Sequence, residues 1–316
     1  MDHTAIALMF PGQGSQVVGM GKDLVEHYPA ARHTFQEADE VLGYRLSQLC
    51  FEGPQEQLRL TEVTQPAILT VSVAALRVLE TRIARPRFVA GHSLGEYSAH
   101  VASGTFTFAD AVRTVRNRGK YMQEAVPVGV GAMAAILGMD LDRVIAVCQE
   151  AARGEVCSPA NINSPEQIVI SGNTSAVERA ARLADERGAK RAKLLPVSAP
   201  FHCSLMKPAQ DRLAADLEKL EMHKSVYPVA SNVDANLVSD ERRALDTLVR
   251  QVTGSVKWDQ CMRLLISHGA DTFLEVGPGK VLCGLMRQID RSRTALNVSD
   301  EASLTKTLEA LGQAQA

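Results

Sequence analysis

The stretch VAGHSLGEYSA, residues 89–99, sets a serine between two glycines where an apolar run ends and a helix-forming run begins. A G-x-S-x-G turn in that setting makes three demands. The chain must leave a buried strand sharply. The serine Oγ must stand clear of the sheet. The glycines must admit close contact with the helix that follows. The bare pattern is common, so its placement carries the argument. PRFVAGHS (86–93) reads as a short buried strand, and a helix is expected from Leu94 to about Ser103. Ser93 is therefore a candidate nucleophile, and the backbone N–H of Leu94 is placed to face a developing oxyanion.

The rest of the chain repeats this alternation. TAIALMF (4–10) reads as another buried strand, closed by the turn PGQGSQ (11–16). Residues 22–49 read as helical, QPAILTVSVAALRVLETRI (65–83) as a long apolar helix, and about 108–125 as a further helix. Short apolar strands between helices predict a parallel sheet covered on both faces. The middle changes character. GVGAMAAILGM (129–139) reads as a strand and DLDRVIAVCQEAA (140–152) as a helix capped by Asp140. VCSPANI (156–162) and EQIVISG (166–172) read as strands, NTSAVERAARLADERG (173–188) as a helix, and AKRAKLLPVSA (189–199) as a last strand. That order, β-α-β-β-α-β, is the ferredoxin-like split pattern. The expected fold class is α/β: a hydrolase-like parallel-sheet domain, residues 1–126 and 199–316, with a ferredoxin-like small domain, 127–198, inserted in it. Helices near 205–222, 240–253 and 257–269 and a strand at 271–277 complete the large domain, and the end beyond Leu311 is expected to fray.

Several function classes are excluded by composition. A net charge of -2 offers no general attraction to nucleic acid or to anionic membranes. No apolar stretch approaches the roughly 18 residues of a membrane span, and the N-terminus does not read as a signal peptide. The six cysteines form no CxxC pair and have no metal-ligand spacing with a histidine. Neither a disulfide framework nor a metal or cofactor site is expected, and a reducing cytoplasm fits. Aromatic residues make up only 4%, so the core must be built mostly from Ala, Val and Leu.

A nucleophilic serine needs a base, and eight histidines compete. His3 and His27 lie in polar surroundings, and His33 and His223 in charged helical stretches. His268 precedes Gly269 at a helix end, a good place for a cation. Strand alternation should point His92 away from Ser93, and His100 reads as packed behind the turn. His202, in SAPFHCSLM, stands on a Pro-flanked turn at the seam between the two domains, which makes it the candidate base. Arginine periodicity adds one more residue. In FADAVRTVRNRGKYMQEA, Arg118 falls on the apolar stripe of Ala111, Val115 and Met122, whereas Arg113, Arg116 and Lys120 lie opposite. A buried-face arginine must be paired. Either it forms a structural salt bridge, or it is a fork for a substrate carboxylate.

FPGQGSQ (10–16), TQPAI (64–68), GHSLGEYSA (91–99), RNRGKYMQ (116–123), PFHCSLM (200–206) and EVGPGKVL (275–282) occur in that order. Together they resemble the malonyl-CoA:acyl carrier protein transacylase family of bacterial type II fatty acid synthesis, over residues from about 4 to 298. The resemblance implies a ferredoxin-like domain inserted in a hydrolase-like α/β domain, with no metal or bound cofactor. It implies that Ser93 is the nucleophile, His202 its base, and Arg118 the holder of the malonyl carboxylate. The backbone N–H groups of Gln13 and Leu94 match the oxyanion hole. Gln251, in VRQVTGSVKW, matches a residue whose main-chain carbonyl orients the histidine in place of a triad acid. Gln65, Asn161 and Val281 match positions lining the active-site region. Phe201 resembles the malonyl-selective pattern of related polyketide synthase acyltransferases.

The implied activity is transfer of malonyl from malonyl-CoA to the phosphopantetheine thiol of acyl carrier protein through a malonyl-serine. An acidic carrier protein should dock on positive charge, for which Lys190, Arg191 and Lys193 on the small domain and Arg287 and Arg291 near the C-terminus are candidates. A solvated basic face is the bland alternative. Other readings of the same residues are a serine thioesterase, a non-catalytic acyl-carrier binding protein, and the same acyl transfer serving a polyketide pathway. A monomer is expected, since no long apolar surface helix is left over.

Overall fold

The structure is a computed structural model that describes residues 5–197 and 199–312. His3, Thr4 at the head of the first expected strand, Ser198 at the domain seam, and the tail beyond Gly312 lie outside the described residues. Ten strands carry the described fold: β1 (Ile6–Phe10), β2 (Phe88–Gly91), β3 (Gly131–Leu137), β4 (Cys157–Ser164), β5 (Gln167–Asn173), β6 (Arg191–Leu194), β7 (Val229–Ala230), β8 (Leu237–Val238), β9 (Thr272–Val276) and β10 (Thr294–Val298). Six of them form one sheet in the order β10-β9-β1-β2-β7-β8, parallel except for β8.

All five residues of β1 are buried, because both faces of this sheet are covered. Side chains alternate across the strand. Ile6, Leu8 and Phe10 enter a core shared with the helices Pro29–Leu42, Thr61–Leu79 and Phe108–Glu124. Ala7 and Met9 enter a second core built on Trp258, Met262, Leu265 and Met286, from the helices Trp258–Ser267 and Val281–Ile289. With aromatics scarce, Trp258 is the bulkiest of the fully buried side chains.

The other four strands form an antiparallel sheet in the order β4-β5-β3-β6. The helices Leu141–Ala152 and Thr174–Glu186 pack on it over a core of Ile136, Val144, Val147, Ile168, Ile170, Val177 and Ala180. Chain order and strand order together make this the ferredoxin-like unit. The antiparallel sheet is tied by main chain to the segment that precedes the helix Trp258–Ser267. Ile162 donates to the Val256 carbonyl and Val256 to that of Ala160, each at 2.8 Å. Gly131 lies so close to the Pro200 ring that a Cβ there would sit 2.2 Å from it.

The structure departs from the sequence expectation in the helices and in the short strands. Residues 22–49, read as helical, are divided into three helices, Lys22–His27, Pro29–Leu42 and Leu46–Glu52. Pro29 starts the second, and Gly43 ends it in the left-handed region at φ 71°. The long apolar helix runs Thr61–Leu79, four residues earlier than expected, and contains Pro66. It is long and apolar enough by length and composition to cross a membrane, contrary to the expectation that no stretch is. Most of it is enclosed, packed on the helices Pro29–Leu42 and Phe108–Glu124. Strands β7, β8 and β10 had no counterpart in the sequence reading.

Gly95 opens the helix Gly95–Ala102, and a Cβ there would sit 2.2 Å from the Phe10 carbonyl oxygen of β1. Gly284, inside Val281–Ile289, faces open space. Gly95→Ala is expected to cost about 3 kcal/mol or more by forcing strand and helix apart. Gly284→Ala should add up to about 1 kcal/mol by restricting the unfolded chain. Thermal unfolding of the two variants checks both signs.

Candidate active site

Strand β2 ends at Gly91, and Ser93 turns the chain with φ at 53°, a left-handed value that a non-glycine residue holds only under constraint. A Cβ at Gly91 would sit 1.9 Å from the Gly95 backbone, so the turn is as tight as its glycines allow. The Asn232 side chain spans it. Its Oδ1 accepts from the Ser93 N–H at 2.7 Å, and its Nδ2 donates to the Gly91 carbonyl at 2.8 Å. Asn232 stands just after β7, the strand beside β2.

His202 comes from the other side of the seam, also left-handed at φ 59°. Its Nε2 lies 2.7 Å from Ser93 Oγ. Its Nδ1 lies 2.9 Å from the Gln251 carbonyl oxygen and 3.2 Å from that of Gly254. Carbonyls only accept, so Nδ1 carries the proton and Nε2 is left as an acceptor for the serine hydroxyl. Burial pushes the imidazole down to about 3, helped by the nearby Arg118 charge. It is a neutral base at any pH near 7.

Arg118 is buried, as its place on the apolar stripe predicted. Among the described residues no carboxylate forms an ion pair with it. Its Nη1 donates to Gln65 Oε1 at 2.8 Å, and its Nη2 to Gln251 Oε1 at 2.9 Å and to Ser93 Oγ at 3.1 Å. The guanidinium also lies 5.6 Å from the centre of the Tyr97 ring. The guanidinium is thus held by neutral oxygens, and burial pulls it down from its ordinary value.

These groups face a cavity of about 250 Å³ between the two sheets. Gln13, Gln65, Ser93, Leu94, Arg118, Asn161, His202 and Val281 all line it, as does Phe201. Val281 is 54% exposed and sits at the rim. Gln251 is fully buried behind this wall. The basic candidates Lys190, Arg191, Lys193, Arg287 and Arg291 are all exposed, but Lys190 is paired with Glu166 at 3.0 Å.

One histidine expectation fails. His92 does not point away from the site: it lines the cavity, with Nε2 2.8 Å from Asn163 Oδ1 and its ring against Trp258. The strand ends at Gly91, so alternation no longer governs residue 92. His100 is buried, bonded to Thr105 Oγ1 and packed on Phe106, and His268 sits at a helix end bonded to the Leu264 carbonyl. Asn163, Asn232 and Glu96 were missed. GHSLGEYSA places Glu96 on the first turn of the helix, where a carboxylate usually serves the dipole in solvent. Here it is fully buried, and burial pushes its carboxyl up to about 7 against the pull of Gln251, the Asn232 amide and Arg118. No group of three or more His, Cys, Asp or Glu among the described residues could hold a metal ion.

The geometry predicts that His202 stays neutral, with its proton on Nδ1, well below the ordinary histidine value of 6.5. Ring ¹⁵N shifts recorded from pH 8 to 5 should show one unchanging tautomer. A protonation midpoint near 6.5 would contradict the buried placement.

Known proteins resemble the chain over nearly its whole length. The acyl transferase domain family matches residues 8–312. Malonyl CoA-acyl carrier protein transacylase of Escherichia coli strain K12 is 48% identical over 307 residues, 97% of this chain and 99% of that one. The solved structure of the corresponding transacylase from Coxiella burnetii superposes with a TM-score of 0.96 at 43% identity, covering 98% of each chain. A malonyl-transacylase solved in complex with its type II PKS acyl-carrier protein gives a TM-score of 0.95 at 46% identity, over 97% of this chain and all of that one. The chain belongs to the acyl transferase family, among the malonyl CoA-acyl carrier protein transacylases.

Proposed function

We propose that this protein transfers the malonyl group from malonyl-CoA to the phosphopantetheine thiol of acyl carrier protein, through a malonyl ester on Ser93, in supply of fatty acid synthesis. The observation that carries the reading is Arg118: a buried guanidinium 3.1 Å from Ser93 Oγ, held by amide oxygens and not by a carboxylate. An acyl group with a free carboxylate satisfies such a cation, and an acetyl group does not.

The steps of this reading are as follows. His202 Nε2 takes the Ser93 hydroxyl proton as Oγ attacks the thioester carbonyl. The oxyanion is received by the backbone N–H groups of Leu94 and Gln13, beside the N-terminus of the helix Gly95–Ala102. Collapse breaks the C–S bond, and the coenzyme A thiolate leaves with the proton from His202. The carrier thiol then gives its proton to His202 and attacks the ester, and Ser93 regains its proton as it leaves. The carbonyls of Gln251 and Gly254 hold Nδ1–H throughout, in place of a carboxylate. Nothing in this scheme calls for a metal or a bound cofactor.

We divide the chain into a catalytic domain, 1–126 and 199–316, and a small domain, 127–198, with malonyl-CoA entering between them. Lys190, Arg191 and Arg287 are proposed to meet the acidic carrier, which a relative's capture with an acyl-carrier protein supports in kind. We read the protein as cytoplasmic and monomeric; six free cysteines fit a reducing compartment. A polyketide carrier is the second reading, favoured by that same complex.

Brief incubation with malonyl-CoA should add one malonyl mass to the intact protein, with none on Ser93→Ala. The adduct should discharge onto carrier protein. Free coenzyme A without adduct or carrier acylation would point to a thioesterase. Arg118→Ala should lower malonyl transfer about a hundredfold or more relative to acetyl transfer, as expected when a buried charge pair is truncated. Equal losses for the two acyl groups would remove the carboxylate role. Reversing charge at Lys190 and Arg191 should raise KM for carrier protein and spare the coenzyme A half-reaction; an unchanged KM would reject that patch.

A further inference from the structure

Behind the cavity wall, Glu96 is buried without an ion-pair partner among the described residues. Its Oε2 accepts from Gln251 Nε2 at 2.7 Å and from the Asn232 N–H at 3.1 Å. The same Gln251 Nε2 donates to the Ser93 carbonyl at 2.9 Å, and Gln251 Oε1 accepts from Arg118 at 2.9 Å. Through its side chain, one amide therefore touches the nucleophile's peptide, the carboxylate-binding arginine and a buried acid.

We propose that Glu96 and the Gln251 side chain form a positioning relay, in which Glu96 fixes the Gln251 amide and that amide sets both the Leu94 oxyanion donor and the Arg118 guanidinium. The argument rests on donor and acceptor inventory. Oε2 already accepts from the Asn232 N–H, so it acts as an acceptor whether the carboxyl is ionised or carries a proton on Oε1, and it requires the NH₂ end of Gln251 to face it. A reversed amide would turn Oε1 toward the Glu96 carboxylate and the Ser93 carbonyl, and NH₂ toward Arg118, which are three repulsive contacts. With the amide so fixed, the Ser93 carbonyl is held from behind by Gln251 Nε2 and by the Glu96 N–H at 3.0 Å. The Leu94 N–H belongs to the same planar trans peptide and must point the opposite way, toward the cavity that Leu94 lines.

The relay also explains why the acid stands one residue back. A carboxylate paired directly with Arg118 would compete with the acyl carboxylate. Glu96 reaches the guanidinium only through a neutral amide, which aims the cation without occupying it. This role belongs to the side chain of Gln251 and is separate from that of its main-chain carbonyl on His202.

The selectivity part rests on the malonyl-transfer reading; the peptide part does not. Ser93 acylation by malonyl-CoA and by acetyl-CoA, and its labelling by a neutral fluorophosphonate, are measured in the intact protein. The variants are Glu96→Gln, Gln251→Met and the double variant. A glutamine at 96 accepts from or donates to Gln251, so it no longer fixes the amide. Glu96→Gln should lower the malonyl-to-acetyl ratio about tenfold. Gln251→Met keeps the carbonyl on His202 and should lower both that ratio and fluorophosphonate labelling about tenfold or more. The double variant should be no worse than Gln251→Met within about twofold, because residues acting through one another do not add. Additive losses, or an unchanged ratio in Glu96→Gln at an altered Tm, would overturn the relay. If Glu96→Gln does not fold, Gln251→Met alone decides: an unchanged malonyl-to-acetyl ratio and unchanged labelling refute the proposal. Absence of any malonyl adduct on the unaltered protein would instead defeat the transfer reading, while fluorophosphonate labelling still tests the peptide part.

Discussion

The site depends on one close approach, that of the Gly95 backbone to the Phe10 carbonyl at the end of β1. A helix that touches a neighbouring strand backbone to backbone has no freedom in its starting angle. That contact holds Ser93 at its left-handed φ, and Asn232 clamps the two ends of the turn. The strain is local and the support is not: Gly95 leans on β1, Asn232 arrives from beyond β7, and Gln251 from a helix on the far side of the sequence. A single turn is thus held by strands on both sides of it, and the serine is aimed by the whole parallel sheet.

The same distribution decides how much could be read from the chain. Candidates with a local signal could be picked out, and the structure brings them together. Ser93 between its glycines, Arg118 on an apolar stripe and His202 on a Pro-flanked seam each carry their signal within a dozen residues. The α/β class and the inserted β-α-β-β-α-β unit were legible too, since both are written in alternating period and order. What was not legible is set by long-range packing. The helical stretch 22–49 is divided at Tyr28–Pro29 and at Gly43, divisions the sequence reading did not draw. β7 and β8 are two residues long, and β10 is an edge strand with half-exposed residues, so none shows an apolar run. His92 was misplaced because a period-2 argument was carried one residue past the strand's end. Glu96 and Asn232 look like ordinary surface residues until Gln251, far along the chain, is brought between them.

Electrostatics follow from the enclosure. Arg118, His202 and Glu96 are all buried within a few residues' reach of one another, and a charge on any of them would be costly there alone. Burial keeps the imidazole neutral, pushes the carboxyl up, and pulls the Arg118 guanidinium down from its ordinary value against the pull of Tyr97 and Glu96. The guanidinium, 3.1 Å from Ser93 Oγ and paired with no carboxylate among the described residues, is the cationic group in contact with the serine. That asymmetry is a property of the arrangement as a set.

The main-chain pairing of β4 with Val256 has a consequence for how such proteins can be recombined. Val256 stands two residues after Gly254, whose carbonyl helps hold the His202 imidazole. The inserted unit is therefore not a detachable cassette. A foreign insert grafted onto this scaffold would have to reproduce the backbone register of Ala160 and Ile162 as well as the two junctions, or the His202 imidazole would lose its alignment although every side chain of the candidate site was retained.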